Sequence, residues 1–273
     1  MNVRIRFSKY SVVKFIGHLD VMRYFQKAIR RAQINVAYSA GFNPHQIMSF
    51  AAPLGVGLTS DGEYLDIEIN AMSTKEEMIA QLNQQMNEGF LVTGFEVLKD
   101  PEPNKKKETA MALVAAADYL VSLKDGYEFM GKDEFKDAFL RFYQQESIVI
   151  RKKTKKSEKD MDIKPFIYDV WFEEREKDQS GLVHADRYEN GVCVSMQLAT
   201  GSVINVKPDL VMEAFCAYIG KEFNPYAFQL HRMETYGNIA DTGMSMEEMI
   251  EAVALGKEIK RELKPLLQIG IYE

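Results

Sequence analysis

Apolar and polar side chains alternate at the start of the chain. From Val3 to Phe7 every second residue is apolar, and Arg4 and Arg6 lie between them. A period of two is typical of a β-strand that buries one face. The pattern therefore predicts a strand over residues 3–8 whose arginines point away from the core.

Residues 18–33 change to helical spacing, with apolar side chains three or four positions apart. The apolar stripe consists of Leu19, Met22, Phe25, Ile29 and Ala32. The opposite face carries four cations, which are Arg23, Lys27, Arg30 and Arg31. Like charges at these spacings repel by a few tenths of a kcal/mol per pair. The face is therefore either simply solvated or neutralised by an anionic partner.

The rest of the first hundred residues predicts three strands and a second helix. The strands are expected over residues 47–54, 63–69 and 91–98. Ser73 and Glu76 form a capping box that predicts a helix ending near Glu88. The order β-α-β-β-α-β is that of the ferredoxin-like fold, in which two helices cover one face of a four-stranded sheet.

A similar order recurs in the second half of the chain. The predicted strands cover 119–123, 147–151, 165–172, 192–198 and 227–233, and the predicted helices cover 132–145 and 208–219. We therefore predict an α+β protein of tandem ferredoxin-like (βαββαβ) modules with a C-terminal helix. The predicted divisions are a first domain at 1–100, a linker at 101–116, a second, decorated domain at 117–236, and a C-terminal helix and apolar tail at 237–273.

The C-terminal part begins with another capping box. Ser245 and Glu248 predict the start of a helix that ends near Leu263. The last residues, from Leu266 to Tyr272, are too apolar for a free tail. We expect them to dock on the body of the protein or on a partner.

Charge is unevenly distributed, although the 273 residues have a formal net charge of −6. Residues 1–60 hold eight basic side chains and one acid, a net charge of +7, whereas residues 61–100 have a net charge of −7. A second basic run at 151–159 has a net charge of +5. Such stretches form surfaces for phosphate backbones, or they are solvated loops and helix faces.

The predicted open face of the first sheet carries Arg4 and Arg6. Modules that bind single-stranded RNA use an open sheet of this kind, with aromatic residues on which bases stack, and Tyr64 is the obvious aromatic candidate here. In the same topology the arginines could instead pair with Asp66 and Glu68 on the neighbouring strand. The sequence leaves both alternatives open.

The connection from Tyr38 to His45 combines a glycine, a proline, a hydroxyl, an amide and an imidazole. Gly41 can adopt a positive φ, and backbone N–H groups beside Ser39 and Asn43 could bind an anion. The alternative is an ordered turn whose phenylalanine is buried in the core. The predicted RNA- or phosphate-binding residues are Arg4, Arg6, Arg23, Lys27, Arg30, Arg31, Ser39, Gly41, Asn43 and His45.

Candidate catalytic residues are limited to two histidines. His18 lies at the start of the first predicted helix, where a neutral imidazole could act as a general base, and His45 lies in the loop. A capping or core role is the alternative for His18. Cys193 and Cys216 lie on separate elements, and the histidines lack metal-ligand spacing, so we expect no metal and no cofactor.

The targeting signals in the sequence are also informative. The chain has no stretch of about 18 apolar residues, and its first residues lack the apolar core of a signal peptide. We therefore expect a cytoplasmic protein without a membrane partner.

Several motifs resemble those of the radical SAM-linked proteins, a bacterial family of uncharacterised activity. The matching segments are RIRFSK (4–9), FIGHLD (15–20), RRA (30–32), YSAGFNPH (38–45) and FAAPL (50–54), followed by Ser60, Glu63-Tyr64 and Asp66. A looser likeness continues through DIKP (162–165) and LHRME (230–234). The sequence departs from the family at Gly17, where serine is common.

The resemblance implies a companion of radical SAM proteins with B12-binding-like domains, encoded beside them or fused to them. Genes for a ribosome-associated ribonuclease and ribosomal proteins often lie nearby, which implies an accessory role in RNA metabolism. The chain lacks the CxxxCxxC motif that a radical SAM enzyme needs for its cluster. The resemblance therefore implies a companion rather than the catalyst.

Three functions are compatible with these features. The leading hypothesis is a non-catalytic RNA-binding accessory protein that works with a radical SAM partner on tRNA or rRNA. The second is a metal-independent endoribonuclease that uses His18 or His45 as acid or base. The third is a protein-only scaffold that holds the radical SAM partner through the apolar tail.

Overall fold

The computed structural model describes residues 1–101, 108–153, 158–202, 204–240, 242–244, 248, 251–252 and 259–272, and it confirms a mixed α+β protein. The strands in these ranges are β1 (Asn2–Lys9), β2 (Met48–Phe50), β3 (Thr59–Glu68), β4 (Phe90–Val97), β5 (Val114–Leu123), β6 (Val149–Lys153), β7 (Glu158–Asp162), β8 (Ile167–Trp171), β9 (Cys193–Ala199), β10 (Phe228–Asn238) and β11 (Leu263–Pro265). The α-helices are α1 (His18–Arg31), α2 (Lys75–Asn83), α3 (Ala110–Leu113), α4 (Lys132–Tyr143) and α5 (Pro208–Tyr218). None of the helices in these ranges is long and apolar enough to cross a membrane.

One nine-stranded sheet runs through both halves of the chain. Its main path is β4-β1-β3-β10-β5-β9-β8, while β2 pairs with β3, β11 pairs with β10, and β6 and β7 form a separate two-stranded sheet. The strands β3 and β10 are parallel, with Thr59 opposite His231 and Ser60 opposite Arg232. The two halves therefore meet inside a continuous sheet, which the sequence pattern did not predict.

Each half buries the apolar face of its strands beneath its own helices. Ile5 and Phe7 of β1 pack with Phe25 of α1, and the ring centroids of the two phenylalanines are 4.6 Å apart. In the second half, Phe139 of α4 and Phe215 of α5 lie 4.8 Å apart and are fully buried. Burial of each of these side chains contributes about 1.5–3 kcal/mol. The alternating strands and amphipathic helices of the sequence thus produce two neighbouring cores.

The backbones of β3 and β10 lie very close together at Gly62. A Cβ atom on this residue would lie 2.5 Å from Cα of Glu234 and 2.7 Å from the carbonyl oxygen of Met233. The hydroxyl of Thr235 also donates a hydrogen bond to the carbonyl oxygen of Gly62 at 2.8 Å. Glycine is required here because another backbone occupies the space of a side chain.

Two elements of the first half are shorter than predicted. The helix α2 does not cover 73–88, and its N-cap is Thr74 rather than Ser73. The side chain of Thr74 accepts the N–H of Glu77, and the carboxylate of Glu77 accepts the N–H of Thr74. The sequence contains two overlapping capping-box patterns, and the structure uses the second.

The predicted strand over 47–54 is reduced to β2. After Phe50 the chain leaves the sheet, and the carbonyl oxygen of Ala52 accepts a hydrogen bond from Arg232 at 2.8 Å. The buried guanidinium therefore uses a backbone acceptor that a longer strand would have placed in the sheet ladder.

The predicted connecting segments also differ. The predicted linker at 101–116 includes residues 102–107, which the structure does not describe. Its later part is not a free linker, because Ala110 is fully buried and β5 begins at Val114. The predicted C-terminal helix falls largely on residues outside the described ones. From Ile259 the described chain is not helical, and it enters β11 at Leu263. The division into domains stays a prediction.

The apolar C-terminal segment docks on the body of the protein. Leu266 is fully buried. Leu267 packs directly on Gly94, and Ile269 packs directly on Gly237, so a Cβ atom on either glycine would collide with the tail. This segment covers the face of β1 and β4 opposite the helices. The expectation of an open sheet face is therefore corrected, because the chain's own end occupies it.

Candidate nucleic-acid interface

Arg4 lies in the interior of the protein. Its Nε is 2.8 Å from Oδ1 of Asp66, its Nη2 is 3.1 Å from Oδ2, and its Nη1 donates to the carbonyl oxygen of Leu266 at 2.8 Å. The side chain is 1% exposed. Of the two alternatives, the structure therefore contains the cross-strand ion pair. The buried guanidinium of Arg4 is not accessible to an RNA phosphate.

Arg6 is also turned toward acceptors within the protein. Its Nη2 lies 3.1 Å from Oε2 of Glu234, not near Glu68, and 3.3 Å from the carbonyl oxygen of Ser180. Tyr64, the predicted stacking aromatic, is 2% exposed and donates its hydroxyl to Glu234 at 2.7 Å. Burial and the charge of Glu234 raise the pKa of Tyr64 well above its ordinary value. The face predicted to bind RNA is thus an internal polar layer.

The cationic face of α1 is exposed to solvent. Arg23, Lys27 and Arg30 all lie on the outside of the helix, whose other face is buried. Arg23 is 3.2 Å from Asp20, and both side chains are about two-thirds exposed. An exposed pair of this kind contributes well under 1 kcal/mol and leaves the cation available. Arg31 differs, since it donates to the carbonyl oxygen of Gln85 at 2.8 Å.

The loop over residues 38–45 is ordered by its own hydrogen bonds. The hydroxyl of Ser39 lies 2.8 Å from Nδ1 of His45 and accepts the N–H of His45 at 3.1 Å, while the N–H of Ser39 donates to the carbonyl oxygen of His45 at 2.9 Å. Gly41 has the predicted positive φ, at 115°. These hydrogen bonds join the two ends of the loop, so the role of Ser39 is to fix the loop conformation. Asn43 lies between the two ends and is exposed.

The aromatic residues of this loop point outward. Phe42 is fully exposed and Tyr38 is 50% exposed, which rules out the alternative of an ordered turn with Phe42 buried in the core. The loop stands beside α1, because Nε2 of Gln46 donates to the carbonyl oxygen of Gln26 at 3.2 Å. Gln26 lies within one helical turn of the exposed cations. The base of the loop thus contacts α1, and we use the name loop–helix surface for the exposed loop aromatics, Tyr38 and Phe42, together with the exposed α1 cations, Arg23, Lys27 and Arg30.

The two candidate catalytic histidines have separate environments. The ring of His18 meets the ring of Phe50 edge-on, with centroids 5.1 Å apart, and burial lowers the pKa of His18 despite the opposing charge of Glu63. His45 is exposed and held by Ser39. His18 is the first residue of α1 and lines a very small cavity with Lys9, consistent with a neutral, packed imidazole.

The second basic run forms part of the hairpin of β6 and β7. The register pairs Arg151 with Asp160. Residues 154–157 lie outside the described ones, as do the side chains of 152–159. The charge of this run therefore stays a sequence observation.

A buried cluster around Asp61 lies where β3 meets β10. Its carboxylate accepts the backbone N–H of His184 at 2.8 Å and lies 2.5 Å from that residue's Nδ1 and 3.3 Å from Nε2 of His231. Burial raises the pKa of Asp61, but hydrogen bonds from His231 and His184 outweigh it and hold the pKa well below its ordinary value. His231 also contacts Thr59, and Tyr10 stacks on His184.

The Asp61 cluster escaped the sequence analysis because Asp61 is more than a hundred residues from both His184 and His231. No spacing motif connects Asp61 with His184 or His231. The described residues contain no group of three or more His, Cys, Asp or Glu side chains placed to hold a metal ion. The cluster instead ties the segment around His184 to the junction of the two halves.

Fold and surface define a mixed α+β chain with a cationic helix face beside an aromatic loop. Residues 2–208 match the family model described as "Uncharacterized protein conserved in bacteria (DUF2344)", and the chain belongs to this family. No curated protein matches the chain significantly. Among solved structures, the "Crystal Structure of a Cbf5-Nop10-Gar1 Complex" matches 97% of this chain and 60% of the other chain, with 11% identity and a TM-score of 0.41.

Proposed function

We propose that this protein is a non-catalytic RNA-binding accessory protein that works in the cytoplasm with a radical SAM partner on tRNA or rRNA. The observation that carries the RNA part is the fully exposed ring of Phe42 on a closed loop beside the cations of α1. Exposed aromatic side chains beside cations are the surface chemistry that RNA-binding proteins use for unstacked bases and phosphates. A bound base would cover the exposed ring of Phe42.

The chemistry of the loop–helix surface suits an unpaired strand. Phosphates are neutralised by Arg23, Lys27 and Arg30, while unstacked bases stack on Phe42 and Tyr38. Base stacking on an aromatic residue contributes about 1–3 kcal/mol per base, and it requires that the base is not already in a duplex. Single-stranded loops or ends are therefore the preferred form of RNA.

The proposed binding set differs from the one predicted from sequence. It retains the exposed cations of α1 and adds the two aromatic residues of the loop. Ser39, Gly41 and His45 shape the loop, and Asn43 is exposed for a polar contact. Arg4 and Arg6 are held by acceptors inside the protein, and the exposed Arg31 donates to the carbonyl oxygen of Gln85.

We also propose that the two halves are ferredoxin-like modules. The strand order β4-β1-β3-β2 in the first half and β10-β5-β9-β8 in the second supports this assignment. When the separate β6–β7 pair and β11 are left aside, both orders are the fourth, first, third and second strand of their half in chain order. The same arrangement in both halves is expected for a tandem repeat.

The proposed radical SAM partner rests on the resemblance described from the motifs. The apolar tail is a poor candidate for its docking segment, because Leu266 is already buried within this chain. Affinity capture from native cells tests the partner. Enrichment of a radical SAM protein supports it, and its absence from crosslinked, RNA-containing captures contradicts it.

The RNA proposal is tested by fluorescence anisotropy with a labelled single strand of about 12 nucleotides and the matching duplex. We expect the single strand to bind more tightly, and its affinity to fall linearly with the logarithm of salt between about 50 and 200 mM. No binding at low salt, or binding that does not depend on salt, contradicts the proposal. Cleavage of the strand in EDTA would support an endoribonuclease instead.

A further inference from the structure

A cavity of about 280 Å³ lies beside the strands of the second half and shares no lining residue with the loop–helix surface. Its apolar walls include Leu113, Phe166, Tyr168, Ile204 and Leu263. Its volume is just below the range of about 300–1,000 Å³ of most sites for small organic molecules, and its largely apolar lining resembles theirs.

Among the described lining residues, the charged side chains are those of Arg261 and Glu108. Both are exposed, so their charged groups lie at the mouth of the cavity. The guanidinium of Arg261 lies 4.1 Å from the centre of the Tyr168 ring. Burial raises the pKa of Tyr168, although Arg261 opposes the shift, so the ring remains a neutral phenol.

Two polar side chains in the wall, those of Asn238 and Thr200, already have hydrogen-bond partners within the protein. Oδ1 of Asn238 accepts the N–H groups of Ala240 and Glu262, and the hydroxyl of Thr200 donates to the carbonyl oxygen of Leu198. These groups do not need a ligand to satisfy them. The walls therefore favour a ligand with an apolar core, and Arg261 at the mouth of the cavity is the group that can orient it.

We propose that this cavity binds a flat aromatic molecule with a single negative charge, such as an aromatic carboxylate. The ring lies between the apolar walls, and the anion meets Arg261 at the mouth through a charge-assisted hydrogen bond. Glu108 at the same mouth disfavours a second negative charge, which distinguishes this ligand class from nucleotides. The proposal does not depend on RNA binding.

Isothermal titration with 2-naphthoate and with its neutral analogue 2-naphthalenemethanol tests the proposal. We expect saturable binding of both, with the carboxylate binding about tenfold more tightly, because a hydrogen bond to a charged group adds roughly that factor. Arg261→Gln should abolish the tighter binding of 2-naphthoate and leave the affinity for 2-naphthalenemethanol unchanged. AMP should bind more weakly than 2-naphthoate.

Two further variants distinguish binding in the cavity from nonspecific binding to the protein surface. Ala112→Phe places a ring at an exposed position of the lining and should weaken both compounds at least about tenfold. Arg175→Gln is the matched control, since Arg175 stacks on Trp171 at 4.4 Å outside the cavity, and it should change neither affinity. Unsaturable binding, equal affinity for the two compounds, or an Ala112→Phe variant that folds and binds normally would overturn the proposal.

Discussion

Arg4 on β1 and Asp66 on β3 form a two-point ion pair in the interior, at 2.8 and 3.1 Å. The carboxylate also accepts the N–H of Ala110 at 2.7 Å, and the guanidinium donates to the carbonyl oxygen of Leu266. One pair of side chains therefore connects two strands, the start of α3 and the C-terminal segment. An arginine that the sequence assigned to RNA is a structural cross-link.

Replacement of Asp66 by asparagine should destabilise the protein by about 3–5 kcal/mol, because it leaves the buried charge of Arg4 without its counter-ion. The double variant Arg4→Met/Asp66→Asn removes that charge and should recover part of the loss. Urea unfolding measures both. Glu174→Gln breaks the exposed pair with Arg187 and serves as the control, with a change below about 1 kcal/mol. A similarly small change for Asp66→Asn would contradict the structural role.

The Asp61 cluster predicts a specific dependence of stability on pH. The folded-state pKa of Asp61 lies below its unfolded value of about 3.9, so its stabilisation is fully present above that pH and is lost as the pH falls below it. Asp61→Asn should lower the free energy of unfolding at pH 7 by about 1–3 kcal/mol, since hydrogen bonds to a charged acceptor are lost.

Unfolding curves between pH 7 and pH 3 measure this effect. The loss of stability below about pH 4 should be shallower in Asp61→Asn than in the unmodified protein. Equal slopes for the two proteins would show that this carboxylate does not carry the acid sensitivity.

The loop–helix surface predicts separable effects on RNA affinity. Phe42→Ser should cost about 1–3 kcal/mol of binding without changing the salt dependence, because it removes stacking only. Arg23→Gln/Lys27→Gln/Arg30→Gln should weaken binding and reduce the slope against log salt by about 2, as expected for three lost phosphate contacts.

The matched control for the triple variant is Lys132→Gln/Lys136→Gln/Arg141→Gln on α4, which changes the net charge equally. Its affinity should stay within about twofold of the unmodified protein, since distant charges are screened. Equal weakening by both triple variants would mean that only overall charge matters.

The contact at Gly62 predicts a backbone clash. Gly62→Ala places a Cβ atom against Glu234 and should destabilise the protein by about 1–3 kcal/mol or prevent folding. Gly55→Ala is the control, because the nearest atom to its Cβ, on Leu58, is at an ordinary 3.6 Å. Thermal unfolding compares them, and equal melting temperatures would refute the close approach of β3 and β10.

Because the tail is docked on the protein, we expect its truncation to lower the stability of the fold. Leu266→Ala should cost about 2–5 kcal/mol because its side chain is fully buried, whereas Leu19→Ala, at an exposed site, should change stability by less than about 0.5 kcal/mol. Deletion of residues 265–273 should likewise lower the free energy of unfolding. A deletion variant of unchanged stability would instead favour the tail as a free docking segment.

Local patterns predicted the elements that depend on neighbours in sequence. The alternation around Ile5 and the apolar stripe through Phe25 place both residues correctly in the core. The α1 cations are exposed because their helix face lies opposite the buried residues Val21, Phe25, Ala28 and Ile29. Leu19, which the sequence assigned to the apolar stripe, is exposed on the cationic side, so that assignment was wrong. Element ends were less predictable, as the choice between Ser73 and Thr74 shows, because two caps of similar chemistry lie side by side.

The sequence by itself determined the mixed α+β class, most of the strands and helices and the exposed cationic face of α1, since periodicity and charge along a helix are local properties; α3, β7 and β11 were not predicted. Only the tertiary structure decided which cations remain available. Arg4 and Arg6 find their acceptors at Leu266 and Glu234, more than two hundred residues away, and Asp61 finds His231 in the same way. These contacts arise when β10 joins β3, and no local pattern encodes that pairing.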